Sequence, residues 1–425
     1  MFYIILMVKP MNKIITLKAS MEMVFNRSDT FILICFFILS LGHFHAQFGC
    51  TDPQANNFNA QATVNDGSCQ YNVTTENPLL IANLSNRLLE NSGMIVWNNH
   101  IWMLNDGGSQ PILFQLDFSG VILDSFCVSN ATNVDWEALS QSSTHLFIGD
   151  FGNNAGNRTD LCFYQINKSD LIGNQTHTVL ADKKMFKYAD QTSFSGPTNG
   201  HAFDAEAFYV EQDSLVILTK NWSNFYSKRY RFPCTWQDTI SISPLDSMFL
   251  DGLITDVTFN EATNRIVALG YKNNGSNFYT SFAYLFFDYP ESSIFNGNVR
   301  RIELGNMLTL SQTEGISWID SVNLFMSSEK ITSIITIPPK LFTVDVSTYF
   351  MNQSGLIEMN DVIQIFPNPV KCWIDVPIDW DAKVCKIVSM NGQEYYCGVV
   401  HENDQLDLGK IPFGVYTLQI EIGRA

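Results

Sequence analysis

Asp135-Trp136-Glu137-Ala138-Leu139, followed after a polar turn by Leu146-Phe147-Ile148-Gly149-Asp150, is the stretch on which the fold turns, because the same pair of segments recurs along the chain. Ser92-Gly93-Met94-Ile95-Val96 precedes Ile101-Trp102-Met103-Leu104-Asn105-Asp106, and Asp204-Ala205-Glu206-Ala207-Phe208 precedes Leu215-Val216-Ile217-Leu218-Thr219. Thr255-Asp256-Val257-Thr258-Phe259 precedes Ile266-Val267-Ala268-Leu269-Gly270, and Thr313-Glu314-Gly315-Ile316-Ser317-Trp318 precedes Leu324-Phe325-Met326-Ser327-Ser328-Glu329. Each unit reads as a strand, a turn and a nearly continuous apolar strand, the pattern of a fully covered inner strand in stacked sheets. Further strand-like runs such as Leu161–Ile166 and Ala283–Phe287 complete a unit. A period of about 45–70 residues fits four-stranded blades of a β-propeller. The expected fold is all-β, a propeller over residues 76–360 with five repeats in view, hence five or six blades. Leu79-Leu80-Ile81-Ala82 is placed to close the ring with the last blade.

Working outward, composition agrees. The chain has 425 residues, 13% aromatic and only 16% charged, a balance that favours strands over surface helices. That length exceeds one ordinary core, so a large domain with small appendages is expected. With 42 acidic against 25 basic residues, the net charge of -17 would repel phosphate backbones. Nucleic acid is thereby excluded as a partner.

The recurring acidic-plus-small dipeptide carries the functional expectation. Glu137-Ala138, Glu206-Ala207 and Glu314-Gly315 are equivalent, Asp256 lies one residue off, and Glu90 falls just ahead of Ser92-Gly93. In a propeller such positions converge on the central channel, where like charges raise one another's pKa unless a cation or proton intervenes. The carboxylates therefore either grip a metal or polar ligand or accept backbone hydrogen bonds between blades. A second polar set follows the apolar strands: Asp106, Asp150 with Asn153, Asn154 and Arg158, Lys220-Asn221, and Glu329-Lys330. It is expected at the opposite end of the channel from the first set, or along its mouth. Glu137, Glu206, Asp256, Glu314, Asp150, Lys220 and Glu329 are the ligand-binding candidates. Catalytic signatures such as Gly-x-Ser-x-Gly and His-Glu-x-x-His are absent, and His201 is the sole histidine close to a repeat dipeptide. The Glu-Ala and Glu-Gly repeats loosely resemble propellers of exported esterase-like phytases and related surface proteins, a likeness of fold.

At the N-terminus, Arg27 and an apolar run from Phe31 to Leu41, ending His43-Phe44-His45-Ala46, have the layout of a signal peptide over about 21–46. Met21 or Met23 is a candidate start. No later apolar stretch reaches 18 residues, so no stable membrane span is expected after cleavage. Of nine cysteines, Cys35 lies in this leader, which leaves eight. Eight allow 105 pairings, and only the local pair Cys50–Cys69 is assigned. It frames Gly49-Cys50-Thr51-Asp52 through Asn65-Asp66-Gly67-Ser68-Cys69, a module over 47–75 that resembles a small disulfide-closed unit of secreted Bacteroidetes proteins. Asp52, Asn57, Asn59, Asn65 and Asp66 supply hard oxygens of the kind Ca²⁺ takes, and the same residue types are ordinary turn formers.

Residues 361–425 contain Phe366-Pro367-Asn368-Pro369, Cys372-Trp373-Ile374-Asp375-Val376, Lys386-Ile387-Val388-Ser389-Met390-Asn391-Gly392-Gln393, and Leu406 through Gly414-Val415-Tyr416-Thr417-Leu418-Gln419-Ile420. This order resembles a type IX secretion sorting domain, an Ig-like sandwich with an Asn391-Gly392 hairpin. Such domains usually continue past the Gly-Val-Tyr strand, so truncation is one reading of the end at Ala425. Cys372, Cys385 and Cys397 allow a bridge that braces the sandwich. The resemblance implies Sec export followed by type IX secretion to the outer surface or medium of a Bacteroidetes-type cell, with the secretion machinery as partner and the tail removed on arrival. The cargo is then expected to recognise or scaffold an extracellular glycan, peptide or envelope component. The alternative is a calcium-dependent ester or phosphoester hydrolase, with Lys220, Arg158 and Lys330 as its cations.

Overall fold

A computed structural model describes residues 2–8, 46–275, 278–332, 336–350, 373–375, 383–389, 393–401, 405–407, 411 and 414–421. The chain divides into two compact units, Phe44–Ile357, and Met1–His43 with Glu358–Ala425.

The larger unit is a five-bladed propeller. Blade 1 runs outward through Asn91–Trp97, His100–Asn105, Ile112–Leu116 and Ile122–Val128, and blade 2 through Trp136–Gln141, His145–Asp150, Cys162–Asn167 and Asp182–Tyr188. Blade 3 contains Asp204–Glu211, Ser214–Lys220, Tyr226–Pro233 and Pro244–Phe249; blade 4 contains Leu253–Asn260, Arg265–Asn273, Tyr279–Phe287 and Asn298–Asn306. Blade 5 takes Gln312–Trp318, Asn323–Glu329 and Lys340–Asp345 from one end of the domain and Leu79–Asn83 from the other. The closing strand expected at Leu79–Ala82 is therefore present. The first strands pack against one another around the ring, blade 5 returning to blade 1.

One expectation is corrected. The continuous apolar strands are second in each blade, and the channel is lined by the strands that carry the dipeptides. A second strand is covered on both faces because a neighbouring blade lies on each side. In Ser214–Lys220, Leu215 and Ile217 join the core between blades 2 and 3, whereas Val216 and Leu218 join the one between blades 3 and 4. Alternating residues thus enter two different cores, and the run loses its polar face. The hairpins into these strands turn through left-handed residues, among them Asn98 and Asn99 at φ 52° and 59°, as tight hairpins demand. Blades 1, 2 and 4 each gain a short parallel strand on the outer edge, Thr178–Val179, Thr239–Ile242 and Thr74–Thr75.

The inner strands are also joined by hydrogen bonds. Thr255 Oγ1 donates to Thr313 O at 3.0 Å, Ser140 Oγ accepts from Val210 N at 3.2 Å, and Ser317 Oγ accepts from Val96 N at 2.9 Å. The Cys50–Cys69 disulfide is formed. Its module docks on blade 4, where Arg300 donates to Gln54 Oε1 at 2.8 Å and Asn65 Nδ2 donates to Asn298 Oδ1 at 2.9 Å. Cys127, Cys162, Cys234 and Cys397 are free thiols. Cys372 and the side chain of Cys385 lie outside the described residues.

In the smaller unit, Phe2–Val8, Gly414–Glu421, Lys383–Ser389 and Glu394–Val400 form an antiparallel sheet in that order, and Trp373–Asp375 pairs with Gln405–Asp407. The 383–389/394–400 hairpin brackets Asn391-Gly392, which itself lies outside the described residues. So do the Pro-Asn-Pro segment and the signal-peptide run at 31–41. The seven-residue apolar run Phe2–Val8, which the signal-peptide reading does not use, is a strand on the edge of this sheet.

Candidate functional site at the channel mouth

Every inner strand carries a bulge near its start. The register slips between Trp136 and Ala138, Ala205 and Ala207, Ile254 and Asp256, Thr313 and Gly315, and Asn91 and Met94. The extra residue is Glu137, Glu206, Thr255 and Glu314 in blades 2 to 5, and Ser92-Gly93 takes its place in blade 1. A bulge re-aims one side chain out of the ladder. In blades 1 and 5 this place is held to glycine, because a Cβ on Gly93 would lie 2.3 Å from Leu139 N in the next blade and one on Gly315 2.7 Å from Ser92 O. Blades 2 and 3 have Ala138 and Ala207 after the bulge, and blade 4 has Asp256. The acidic half of the dipeptide has no such steric reason.

Asp256 behaves differently from the glutamates. It is fully buried, accepts from Ile316 N and Val257 N at 2.8 Å each, and ties blade 4 to blade 5. Its role is interblade bonding.

The second polar set shares the mouth of the first, not the far end of the channel. Antiparallel pairing sets Trp136 opposite Asp150, Asp204 opposite Lys220, and Gln312 opposite Glu329. The start of each first strand therefore lies beside the end of its second strand. Lys220, 3% exposed, donates to Glu206 Oε1, with its ammonium 5.1 Å from both the Trp222 and the Tyr271 ring centres. Burial works against the Lys220 charge, yet Glu206 foremost, then Tyr271, Glu314 and Asp204, hold it protonated. Glu206 is pushed upward by burial, a shift its lysine partner only partly relieves. Gln312 donates to Glu314 Oε1 at 2.5 Å.

Burial pushes Glu314 up to about 7, with Lys220 and Gln312 opposing. It pushes Glu329 up to about 9, helped by Glu314, Glu90 and Asp106. Both acids therefore bind protons more tightly folded than unfolded, so stability is greatest below about pH 4.5 in this respect and falls as pH rises through about 7 and about 9. In EDTA, the melting temperature is expected to drop between pH 6 and pH 9.5, and Glu329→Gln to flatten the upper part of that slope. A melting temperature that rises across this interval would contradict the assignment.

Asp150 is absorbed by its loop. Arg158 pairs with it at 2.8 Å, and it accepts Asp135 N at 3.1 Å, so it shapes the turn that presents Asp135. Arg158 also donates to Gly152 O and Asp160, and His201 Nδ1 accepts Phe203 N while Nε2 meets Asn154 O. The N-terminal candidates serve as turn acceptors. Asp52 takes Gln54 N and Tyr71 OH, Asn57 takes Gln70 N, Asn59 takes Gln61 N, Asn65 takes Gly67 N, and Asp66 takes Ser68 N, at 2.7–3.1 Å.

Two carboxylates were not among the candidates. Asp135 and Asp106 stand with Glu137, one carboxylate oxygen of each lying within 4.8 Å of the other two. Burial first, then Asp106, raises Asp135 to about 7. Burial, Asp106 and Glu206 drive Glu137 well upward. The signal for Asp135 was its two-residue offset from Glu137, which a bulged strand start can turn toward the same space.

Residues 364–425 match the family described as "Secretion system C-terminal sorting domain". The chain carries a type IX secretion sorting domain. Export through that system to the cell surface or extracellular space follows, with the secretion machinery as the tail's partner. Truncation before residue 358 is expected to abolish surface and medium accumulation in cell fractionation; unchanged amounts there would contradict this role.

No curated protein matches the chain. Similar solved structures include the PQQ-bound aldose sugar dehydrogenase of Streptomyces coelicolor, at 6% identity over 63% of this chain and 97% of that one, TM-score 0.38. A structure titled glycoside hydrolase shares 10% identity over 81% and 97%, TM-score 0.38. PorZ of Porphyromonas gingivalis, titled an essential surface component of the type IX secretion system, shares 12% over 78% of this chain and 42% of its own length, TM-score 0.30. Among the described residues, no helix is long and apolar enough to cross a membrane.

Proposed function

We propose that the exported propeller is a recognition module that grips an oxygen-rich extracellular ligand, such as a glycan chain of the cell envelope, at this channel mouth. The observation that carries the reading is the convergence of Glu206, Glu314 and Glu329 around one buried lysine, with Glu137 in the field of Glu206. Glu206 Oε2 is buried with no hydrogen-bond partner, which is costly unless a ligand supplies one. Carboxylates accept hydrogen bonds from hydroxyls, and the acids held protonated can donate them, so one mouth offers both roles to a polyhydroxylated chain. His201, the histidine nearest the dipeptides, has its Nδ1 taken by a backbone amide. That engagement favours binding over base catalysis.

A second reading, ester or phosphoester hydrolysis, draws support from Glu314, whose pKa of about 7 suits proton transfer at neutral pH. Two measurements on the purified exported protein separate them. Binding to isolated envelope polysaccharide is expected, weakened about tenfold or more by Glu314→Gln, the loss of one charged hydrogen bond. Turnover of nitrophenyl ester or phosphoester substrates that Glu206→Gln abolishes would overturn the recognition reading.

A further inference from the structure

The aspartates that precede two of the bulged glutamates occupy equivalent places and have opposite surroundings. Asp204, in blade 3, accepts Asn153 N at 2.7 Å, Ala205 N at 3.1 Å and Trp222 Nε1 at 2.7 Å. The carboxylate of Asp135, in blade 2, accepts no hydrogen bond from the described residues, and neither does that of Glu137, a residue only 3% exposed. A buried carboxylate without donors is expensive, and here that of Glu137 faces the half-buried Asp135 and Asp106, the latter accepting the adjacent Gly107 amide.

The space around them is kept open on both sides. A Cβ on Gly107 would lie 2.3 Å from Asp135 Oδ1; one on Gly152 would lie 2.2 Å from Glu137 Oε1 and 2.5 Å from Asp135 Oδ2. Glu206, whose Oε2 is also unpartnered, adds its field to Glu137 from the next blade. The lysine of the site is already engaged by Glu206; Lys220 and Arg158 act on Asp106 and Asp135 through their fields, and among the described residues no side-chain cation forms an ion pair with the triad.

We propose that Asp106, Asp135 and Glu137 bind a divalent cation of the Ca²⁺ class at the channel mouth, and that the cation presents open coordination positions to the ligand. Ligand oxygens lie opposite one another at about 4.6–5.2 Å across a Ca²⁺ shell, given bonds of 2.3–2.6 Å. One oxygen from each of the three carboxylates lies within 4.8 Å of the other two, close enough to share one such shell. Three carboxylates supply at most six of the six to eight oxygens Ca²⁺ takes, which leaves places for water or sugar hydroxyls. This deepens the recognition reading and rests on it for the ligand, but not for the ion.

The test uses the full exported chain, stripped with chelator, and CaCl₂ as the probe. Calorimetry is expected to show binding, and 100-fold excess over the dissociation constant to raise the melting temperature by about 5 °C or more. Asp135→Asn with Glu137→Gln is expected to lose that binding at least tenfold. In chelator the same variant melts no lower than the wild type, because two carboxylates that repel each other are gone; this separates lost ligation from lost folding. Absence of calcium binding by the wild type, or wild-type-like binding by the double variant, would overturn the cation site. Calcium binding with no polysaccharide binding would overturn the recognition reading alone.

Discussion

Lys220→Met is expected to destabilise the propeller by about 3–5 kcal/mol near pH 8, the cost of breaking a buried ion pair from one side. The methionine fills a similar volume and keeps contact with the Trp222 and Tyr271 rings, so the loss is electrostatic. Glu206 is left buried without its cation, and Glu314 loses the charge that lowers its own pKa. Both can then relieve the strain only by taking up protons. The penalty should accordingly shrink as pH falls toward 5, which a purely steric defect would not do. Removing the negative partner too, as Glu206→Met/Lys220→Met, should recover most of the loss. Chemical denaturation of the four members of this cycle decides the matter: additive single-site effects would show that the pair is not coupled.

Asp256→Ala should have an effect of the same order by a different route. The side chain accepts two backbone amides, Val257 N and Ile316 N, and the Met94 amide also favours its charge. Alanine leaves at least two buried donors without acceptors, at about 1–3 kcal/mol each. These donors belong to blades 4, 5 and 1, so amide exchange should accelerate at the seams on either side of blade 5 before it does in blade 2. Asp256→Asn keeps one acceptor oxygen and should fall between the two. A melting temperature within 2 °C of wild type for the alanine variant, a shift of less than about 1 kcal/mol, would show that the interblade bonds are dispensable.

The two aspartyl positions explain why the architecture was easier to read than the site. Ile101–Leu104, Leu215–Leu218 and Ile266–Leu269 announce buried strands by composition, and Leu79–Ala82 completes the count because the last blade lacks a fourth strand of its own. Composition could not say which strand lines the axis. A second strand caught between two blades is as apolar as any strand at the centre of a stack, and the true inner strands mix Glu, Thr and Ser with small residues. The outer strands Thr178–Val179 and Thr239–Ile242 are too short to carry a period.

At the mouth, Glu137, Glu206 and Glu314 could be aligned because they occur at one place in the repeat. Asp106 and Asp135 belong to different blades, and their approach depends on the bulge and on close passage of the loops at Gly107 and Gly152. Asp150 and Asp204 look the same in sequence as Asp135; only the donors around them show that they are structural. Asp52, Asn57, Asn59, Asn65 and Asp66 carry oxygens that suit calcium and turns alike, and each accepts a hydrogen bond from within its own segment.

The pairing of Leu79–Asn83 with Lys340–Asp345 gives the domain a kinetic character. The two strands are about 260 residues apart, and closing so long a segment carries a loop entropy that local contacts cannot offset beforehand. Folding should therefore be slow and late-cooperative, with an open, four-bladed intermediate exposing the faces of its terminal blades until the last strand arrives. The sorting tail is the portion of the chain made after that strand. A nascent chain reaches the address label only once every residue needed to seal the ring has already been synthesised.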